Sequence, residues 1–426
     1  MVDIKLIREQ PDVVRTALKN KQETGALEKF DHLLALDKDR RDAIKNVEEK
    51  KAALNKISER IGMAKRKGEA ADASDMTESA NLSGEIKELD KELRDVDTQL
   101  NELLLWIPNI PHESVPVGTS AKDNHVQKTW GELPANDFKR LDHLELSKKL
   151  GLFDFERGAK ISGSGFPVYT GKGAVLERAL INFMLDVQTK EHGYKEIFPP
   201  FVVNEQSLRG TAQIPKSLED MYRCADDDLY LIPTAEVPLT NLHRDETLKP
   251  EELPIKYAGY SACFRREAGS YGKDTKGFLR VHEFNKVELV KFVVPETSFD
   301  ELEALTRNAE TILEKLNIPY RRLLLCTGDM SFASAKTYDL EAWAPAEQKW
   351  LEVSSCSNFM DFQARRASIR FKRDPKAKPE FVHTLNGSGL ATSRLIVALL
   401  ENHQTPDGTV VIPKALQPYT GFAVIS

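Results

Sequence analysis

The feature that most constrains this chain is a repeat of apolar residues near its N-terminus. From position 82 onward, apolar residues recur in alternating steps of four and three: Leu82, Ile86, Leu89, Leu93, Val96, Leu100 and Leu103. A similar stripe comes earlier: Ile44, Val47, Leu54, Ile57 and Ile61. This spacing lines one face of a helix and is typical of coiled coils. The two stripes therefore predict an antiparallel helical hairpin, with residues 62–81 as the tip that joins its helices.

The two predicted helices carry opposite charge. Residues 38–67 contain eleven basic and five acidic residues, whereas residues 82–106 contain three basic and seven acidic residues. These charges could pair across the hairpin, or the basic helix could bind the phosphates of a nucleic acid. The sequence leaves both alternatives open. Because the net charge of the whole chain is −6, any nucleic-acid site must be a local patch.

Prolines end the helical pattern and mark a change of domain. We predict an N-terminal domain over residues 1–106, a proline-punctuated linker over 107–119 and a compact α+β domain over 120–426. In the last region, short β-like runs alternate with amphipathic helices. Neither a G-x-G-x-x-G motif nor a P-loop lysine motif occurs, so the two common nucleotide-binding signatures are absent from the sequence.

The cysteines and the hydropathy pattern favour a cytoplasmic protein. Four cysteines lie far apart and form no C-x-x-C pair, which favours reduced thiols over a zinc cage or a disulfide framework. The first residues lack the apolar run of a signal peptide, and no stretch approaches the ~18 apolar residues of a membrane span. We therefore expect no membrane association.

Three segments of the α+β region have the residue types of a substrate site. The first is an amphipathic helix that ends at Gly193 and precedes a run closing in Pro199-Pro200, which predicts an edge strand. The second, over residues 263–290, predicts a β-hairpin with a basic, glycine-containing loop that includes Gly269, Gly272 and Gly277.

Alternation along the strands of this hairpin would gather charged and aromatic side chains on one face. Arg265 would lie beside Glu267, and Arg280, Phe284 and Glu288 would share a face. Arginines suit phosphates, an aromatic ring suits a base, and a carboxylate suits an ammonium group. A polar, solvent-facing sheet with satisfied ion pairs would explain the segment equally well when it is taken alone.

The third segment is a glycine-rich strand end that leads into an apolar helix. It runs over residues 386–394 and reads Asn-Gly-Ser-Gly-Leu-Ala-Thr-Ser-Arg. We expect the glycines to let a ligand approach the backbone, and Arg394 to cover a base or a phosphate.

In this order, the three segments resemble the signature motifs of class II aminoacyl-tRNA synthetases. The resemblance narrows to the seryl-tRNA synthetase family through Thr-Ala-Glu at 234–236, Phe-Arg-Arg-Glu at 264–267 and the runs over 280–288 and 352–358. It covers essentially the whole chain, arm included. It implies a catalytic domain built on an antiparallel β-sheet flanked by helices. It also implies ATP-dependent activation of L-serine to seryl adenylate, transfer of serine to the 3′ end of tRNA(Ser), with tRNA(Sec) as a second candidate substrate, a Mg²⁺ cofactor and a homodimer.

The resemblance also implies roles for individual residues. Arg265 would hold the serine carboxylate and the α-phosphate, while Arg394 and Glu352 complete the catalytic set. Glu267 would bind the adenine edge and Phe284 would stack under the ring. The implied serine site is Thr234, Ala235, Glu236, Arg265, Glu288, Asn386 and Ser388. The implied ATP site is Arg265, Arg266, Glu267, Val281, Phe284, Glu352, Val353, Ser354, Ser355 and Arg394. Glu352 and Ser355 would hold the metal.

Three other interpretations remain open at this stage. Threonyl and prolyl synthetases share the class II motifs but lack a long N-terminal coiled-coil arm. Carrier-protein ligases that resemble the seryl enzymes also lack the arm. A non-catalytic RNA-binding coiled-coil protein would have no reason to keep Arg265, Glu288 and Arg394 together.

Overall fold

The structure is a computed structural model that describes residues 1–135, 137–268 and 276–426. Its contacts divide the chain into two compact units. One contains residues 2–19 and 23–108, and the other contains residues 1, 20–22 and 109–426. The change falls at the predicted proline segment, although the predicted domain limits at 106 and 119 stay a prediction. None of the described helices combines the length and the apolarity that a membrane crossing requires.

The N-terminal unit is a helical hairpin on a small helical base. Its helices are α1 (Ile4–Glu9), α2 (Pro11–Asn20), α3 (Thr24–Arg66) and α4 (Ala73–Leu104). The predicted apolar stripes are buried or half-buried, with Val47, Ile57 and Ile86 at 7% exposure or less. At the base, Arg8 pairs with Asp37 at 2.8 Å, which fixes α1 against α3.

The tip of the hairpin is shorter than predicted. The sequence pattern placed the tip at residues 62–81, but α3 continues to Arg66 and α4 begins at Ala73. The alanine, serine and glutamate of this segment are compatible with helix. The turn needs only Gly68, whose φ is +75°, and Asp72, whose side chain accepts the N–H of Ser74 and caps α4.

Ion pairs cross the hairpin, as expected if the opposite charges of the two helices pair with each other. Arg40 pairs with Asp97, and the other three pairs are Lys50–Glu85 at 2.6 Å, Lys51–Asp90 at 3.1 Å and Arg60–Asp75 at 2.6 Å. Several basic residues of α3, and the one directly after it, have no such partner among the described residues: Lys38, Lys56, Lys65, Arg66 and Lys67. The charges on α3 are therefore of two kinds, paired and unpaired.

The second unit is built on an eight-stranded sheet with helices packed on it. The strands of the unit are β1 (His125–Trp130), β2 (Phe153–Asp154), β3 (Val168–Tyr169), β4 (Lys195–Glu196), β5 (Val202–Asn204), β6 (Arg223–Cys224), β7 (Leu229–Leu231), β8 (Thr247–Leu248), β9 (Ile255–Phe264), β10 (Glu283–Val293), β11 (Tyr320–Leu324), β12 (Lys336–Ala344), β13 (Lys349–Met360), β14 (Arg370–Phe371), β15 (Glu380–Phe381), β16 (His383–Ala391), β17 (Val410–Val411) and β18 (Val424–Ile425). The eight strands of the large sheet follow the order β1-β11-β12-β13-β16-β10-β9-β4. All pairings in it are antiparallel except that of β4 with β9, which confirms the predicted antiparallel platform.

Three helices bury one face of the sheet, and the site lies on the part of the opposite face that α9 and α11 do not cover. The helices of the unit are α5 (His143–Leu150), α6 (Phe155–Ser162), α7 (Gly171–Asp186), α8 (Glu205–Gly210), α9 (Glu236–Asn241), α10 (Ser298–Lys315), α11 (Phe362–Ala367), α12 (Thr392–His403) and α13 (Gln417–Thr420). Apolar residues of α7, α10 and α12 form one core with Val287 and Leu289 of β10. Because side chains alternate along a strand, Phe284, Lys286 and Glu288 point to the other face. The predicted edge strand is β4, which lies at the end of the sheet before Pro199.

The predicted hairpin over residues 263–290 is correct in topology but too long in its strands. β9 ends at Phe264 and β10 begins at Glu283, so Arg265, Glu267 and Arg280 lie outside both strands. The chain leaves the ladder because the N–H of Arg266 donates to the carbonyl of Asp220, and Glu267 takes a φ of +54°. Gly269 and Gly272 lie outside the described residues.

Candidate active site

One open cavity on the exposed face of the sheet collects the predicted site residues. It has a volume of about 620 Å³ and is lined by residues of β10, β13 and β16, by the segment that follows β9 and by the start of α12. Fourteen of the sixteen predicted site residues line it: Thr234, Glu236, Arg265, Glu267, Val281, Phe284, Glu288, Glu352, Val353, Ser354, Ser355, Asn386, Ser388 and Arg394. Ala235 packs in an apolar cluster beneath it, and Arg266 does not line it.

The floor of the cavity is a buried carboxylate held by three donors. Glu288 is fully buried; its two oxygens accept from Thr234 Oγ1 and Asn386 Nδ2, both at 2.9 Å, and it forms an ion pair with Lys286. A buried charge with this many partners is fixed in orientation and stays available to a cation that enters the cavity. Lys286 was not among the site residues predicted from the sequence, although its spacing of two from both Phe284 and Glu288 on β10 places it on the same face.

A second carboxyl lies beside the first and differs from it in charge. Burial, and next the negative charge of Glu288, raise the pKa of Glu236 to about 7. Its Oε1 accepts from Gln363 Nε2 at 2.6 Å, and Gln363 in turn accepts from Thr384 Oγ1 at 2.7 Å. At neutral pH, Glu236 therefore titrates and can donate as well as accept a hydrogen bond. Gln363 comes from α11, far along the chain, and no sequence pattern indicated it.

An arginine and an aromatic ring form the wall next to these carboxyls. The Cζ atom of Arg265 lies 5.2 Å from the centroid of the Phe284 ring, and Arg265 Nε donates to the carbonyl of Pro233 at 3.4 Å. No carboxylate among the described residues pairs with this guanidinium. Its two terminal nitrogens can therefore bind an anion in the cavity.

The far end of the cavity is organised by a second arginine. Arg394, in the first turn of α12, donates from Nε to the carbonyl of Leu279 at 3.2 Å and from Nη1 to the carbonyl of Glu352 at 3.0 Å. Its Nη1 also lies 3.4 Å from the carboxylate of Glu352. Nearby, Arg280 forms an ion pair with Glu267. Two arginines and two carboxylates therefore face a shared space next to Phe284.

The predicted metal residues sit in an electronegative corner. The Glu352 side chain is 48% exposed, and the half-buried Asp339 is paired across the ladder with Ser355. Burial, and next the charge of Glu352, raise the pKa of Asp339 well above its usual range, and its Oδ1 has no hydrogen-bond partner. A carboxylate oxygen without a hydrogen-bond partner beside a second carboxylate suits Mg²⁺, which binds one or two carboxylates together with water and phosphate oxygens. Asp339 was not among the residues identified from the sequence.

The glycines of β16 have a different role from the one we expected. A Cβ on Gly387 would lie 2.3 Å from Leu305 and 2.8 Å from the Cys356 sulfur, and one on Gly389 would contact Leu289 and Val287 at 3.4 Å. These neighbours are protein core. The expectation that both glycines let a ligand approach the backbone was therefore wrong: Gly387 instead allows close packing of β16, and Gly389 faces the core at ordinary contact distance.

Two family models match the chain. One, described as tRNA synthetase class II core domain (G, H, P, S and T), matches residues 221–403, which contain most of the sheet and nearly all of the cavity. The other, described as Seryl-tRNA synthetase N-terminal domain, matches residues 1–111. Together with the antiparallel sheet, these matches place the chain in the class II aminoacyl-tRNA synthetases.

Similar proteins narrow the class to one family. A serine–tRNA ligase of Chloroherpeton thalassium is 60% identical over 426 residues, which covers 100% of both chains. One of Chlorobium phaeovibrioides is 56% identical over 431 residues, covering 100% of this chain and 99% of the relative. A seryl-tRNA synthetase of Pyrococcus horikoshii, solved in complex with ATP, superposes with a TM-score of 0.95 at 42% identity, covering 100% of this chain and 99% of that one. The chain belongs to the seryl-tRNA synthetase family. The N-terminal family model and the full-length relatives both include the residues of the arm, which argues against the threonyl and prolyl interpretation.

Proposed function

We propose that this protein activates L-serine with ATP to form seryl adenylate and transfers the seryl group to the 3′ end of tRNA(Ser), and also of tRNA(Sec). One observation carries the proposal. The cavity holds a buried carboxylate, Glu288, at its floor, and on the adjacent wall Arg265, which has no carboxylate partner among the described residues. An amino acid presents an ammonium and a carboxylate on one carbon, and these two side chains complement it.

The residues of the cavity define a sequence of events. Glu288 binds the serine ammonium, and Arg265 holds the serine carboxylate against the α-phosphate of ATP. Phe284 stacks under the adenine. A serine carboxylate oxygen then attacks the α-phosphorus in line, and the bond to pyrophosphate breaks. Catalysis rests on positioning and on neutralisation of charge, to which Arg265 and Arg394 contribute, so no side chain needs to act as a nucleophile. The ribose hydroxyl of the tRNA next attacks the seryl carbonyl, and AMP leaves.

We propose Mg²⁺ as the cofactor, with Glu352 and Ser355 as its protein ligands. When bound, the ion would neutralise charge on the phosphates. The electronegative corner formed by Glu352 and Asp339 supports this assignment.

Selectivity for serine follows from the polar floor. Thr234, Asn386 and Glu236 surround Glu288 with hydroxyl, amide and carboxyl groups, and alanine would leave partners of the serine hydroxyl unpaired. Threonine carries an extra methyl group, so its rejection must be steric.

Replacing Glu288 with glutamine should raise the KM for serine far more than the KM for ATP. The change removes the charge that binds the ammonium, and loss of such a charge-assisted bond weakens binding by roughly 10- to 100-fold. Lys286 would lose its partner, so the variant also needs a melting curve. Serine-dependent ATP–pyrophosphate exchange measures both constants in one assay. Equal increases in the two constants would mean that Glu288 only supports the fold.

We propose that the hairpin of α3 and α4 binds tRNA. Reversing the unpaired charges Lys56, Lys65 and Lys67 to glutamate should weaken tRNA binding and flatten its dependence on salt, because fewer counterions are released. Reversing Lys50 and Lys51 should instead lower the melting temperature of the arm, since both pair with α4. Lys87 and Lys91 on the acidic α4 serve as the matched control. An unchanged salt slope after reversal of the unpaired set would contradict tRNA binding by α3.

Three broader features belong to the same proposal. We propose a homodimer in the cytoplasm, with an N-terminal tRNA-binding domain at residues 1–106, a linker at 107–119 and a catalytic domain at 120–426. The change of compact unit near residue 108 supports these limits. Charging of tRNA(Ser) and tRNA(Sec) transcripts with labelled serine tests the full reaction, and a protein that forms adenylate but charges neither transcript would contradict its second half.

A further inference from the structure

The N-terminus of α5 holds the three residues that lead toward β10. Lys276 Nζ pairs with Asp142 Oδ2 at 2.7 Å, and the N–H of Phe278 donates to His143 Nε2 at 3.4 Å. Between them, Gly277 has a φ of +56°, and a Cβ there would lie 2.2 Å from His143 Nε2. His143 and Phe278 are fully buried. The imidazole therefore fixes residues 276–278 by a hydrogen bond and by shape.

The other ring nitrogen of His143 faces two carboxylates. Nδ1 lies 3.5 Å from Glu347 Oε1 and 3.7 Å from Glu401 Oε1, and none of these three buried atoms has a hydrogen-bond partner in the described structure. The second oxygen of Glu401 accepts the backbone N–H groups of Ala346 and Glu347 at 2.8 and 3.2 Å. Lys276 lies 3.7 Å from Glu347 and adds a positive charge at the edge of the group.

This cluster has the ligand types of a metal site, but the hydrogen bond to Nε2 argues against one. A histidine that binds a metal through Nδ1 carries its proton on Nε2 and donates it. Here Nε2 faces the N–H of Phe278, and two donors would oppose each other. The geometry therefore puts the proton on Nδ1, where it points toward Glu347 and Glu401.

The residues that follow Phe278 belong to the active site. The carbonyl of Leu279 accepts from Arg394 Nε at 3.2 Å, and Arg280 pairs with Glu267. Glu401 lies on α12, two turns beyond Arg394. His143 thus sits between the segment that orients Arg394 and the helix that carries Arg394. The partners of Glu288, on the serine side, do not include any of these groups.

We propose that His143 is a positioning residue for the ATP half of the cavity. By accepting at Nε2 it fixes residues 276–278, and through them the Leu279 carbonyl that orients Arg394 and the Arg280 side chain that orients Glu267. The inference rests on the proposed ATP roles of Arg394 and Glu267. Loss of this positioning role should weaken ATP binding and leave serine binding unchanged, whereas a general loss of stability would affect the binding of both substrates.

Two substitutions at one position separate the two ring nitrogens. In His143→Gln, the amide oxygen reaches the place of Nε2 and can still accept from Phe278. In His143→Asn, the shorter amide reaches only the place of Nδ1. We expect His143→Asn to raise the KM for ATP in pyrophosphate exchange about tenfold, as for one lost hydrogen bond at a positioned site, with the serine KM within about twofold. His143→Gln should restore most of the loss. Gly277→Ala, at a partly exposed position, should reproduce the asparagine variant because its Cβ displaces the ring.

The outcomes are distinguishable. Wild-type protein without serine-dependent exchange would contradict the proposed function itself. Active wild-type protein with an unchanged ATP KM in both His143→Asn and Gly277→Ala would overturn the positioning role alone. Parallel rises in both KM values with a lower melting temperature, and no rescue by glutamine, would reduce His143 to a structural residue. Tight binding of one Zn²⁺ per chain, measured after dialysis and lost in His143→Asn, would reverse the proton assignment and overturn the inference.

Discussion

Replacing Arg265 with alanine should abolish adenylate formation while the protein stays folded. The guanidinium lines the cavity next to Phe284, has no carboxylate partner among the described residues, and is proposed to bridge the serine carboxylate and the α-phosphate. Without it, two anions would meet in the cavity with no positive charge between them. Loss of a preorganised group of this kind lowers the rate on the order of 10³-fold. Exchange kinetics and a melting curve measure the two quantities.

The neighbouring residue supplies a matched control for this experiment. Arg266 has the same chemistry and does not line the cavity, so Arg266→Ala should lower exchange far less than Arg265→Ala does. Arg265→Lys should rescue poorly, because an ammonium cannot make the two parallel bonds of a guanidinium. Near-normal exchange in Arg265→Ala would contradict the assigned role.

Deleting most of the hairpin should leave serine activation intact and remove tRNA charging. Removal of residues 41–96, with a short linker in their place, retains the Arg40–Asp97 ion pair and the Arg8–Asp37 pair at the base. All groups of the cavity lie in the other compact unit, so exchange should stay within about twofold. Charging efficiency should fall at least about a hundredfold, because the unpaired basic residues on α3 no longer neutralise RNA phosphates.

The same deletion carries its own control. Exchange reports on the catalytic unit and charging reports on the tRNA, and both use one preparation of protein. A parallel loss of both activities, with a lower melting temperature, would show that the hairpin supports the fold. Normal charging by the shortened protein would contradict the role of the hairpin in binding tRNA.

The sequence predicted those parts of the fold that a regular spacing of apolar residues, or an alternation of side chains along a strand, determines. The heptad spacing gave both long helices, and strand alternation brought Phe284 and Glu288 to one face. The limits of the tip were wrong because its alanine and glutamate residues continue the helices, and only Gly68 and Asp72 shape the turn. Backbone bonds to distant partners, such as that from Arg266 to Asp220, cannot be read from local pattern.

The residues that contact the side chains of the site were harder to predict, because they lie far from those side chains in the sequence. Gln363 approaches Glu236 from α11, and Asp339 approaches Ser355 across a strand pair, so neither is near its partner in sequence. The glycines of β16 were misinterpreted because a glycine that admits a core side chain and one that admits a ligand look alike in a sequence. The predicted roles of the individual site residues stay predictions until they are measured.

The central claim is that the cavity around Glu288 and Arg265 selects serine, by its ammonium, carboxylate and hydroxyl groups, for activation by ATP. ATP–pyrophosphate exchange with serine, threonine, alanine and glycine, each measured as kcat/KM with one preparation of the full chain, tests it most directly. We expect exchange with serine, and values lower by at least about a hundredfold for alanine and glycine, which leave the partners of the hydroxyl unpaired. Threonine should be rejected by the size of its methyl group. Exchange that does not depend on serine, or that proceeds equally well with alanine, would contradict the account.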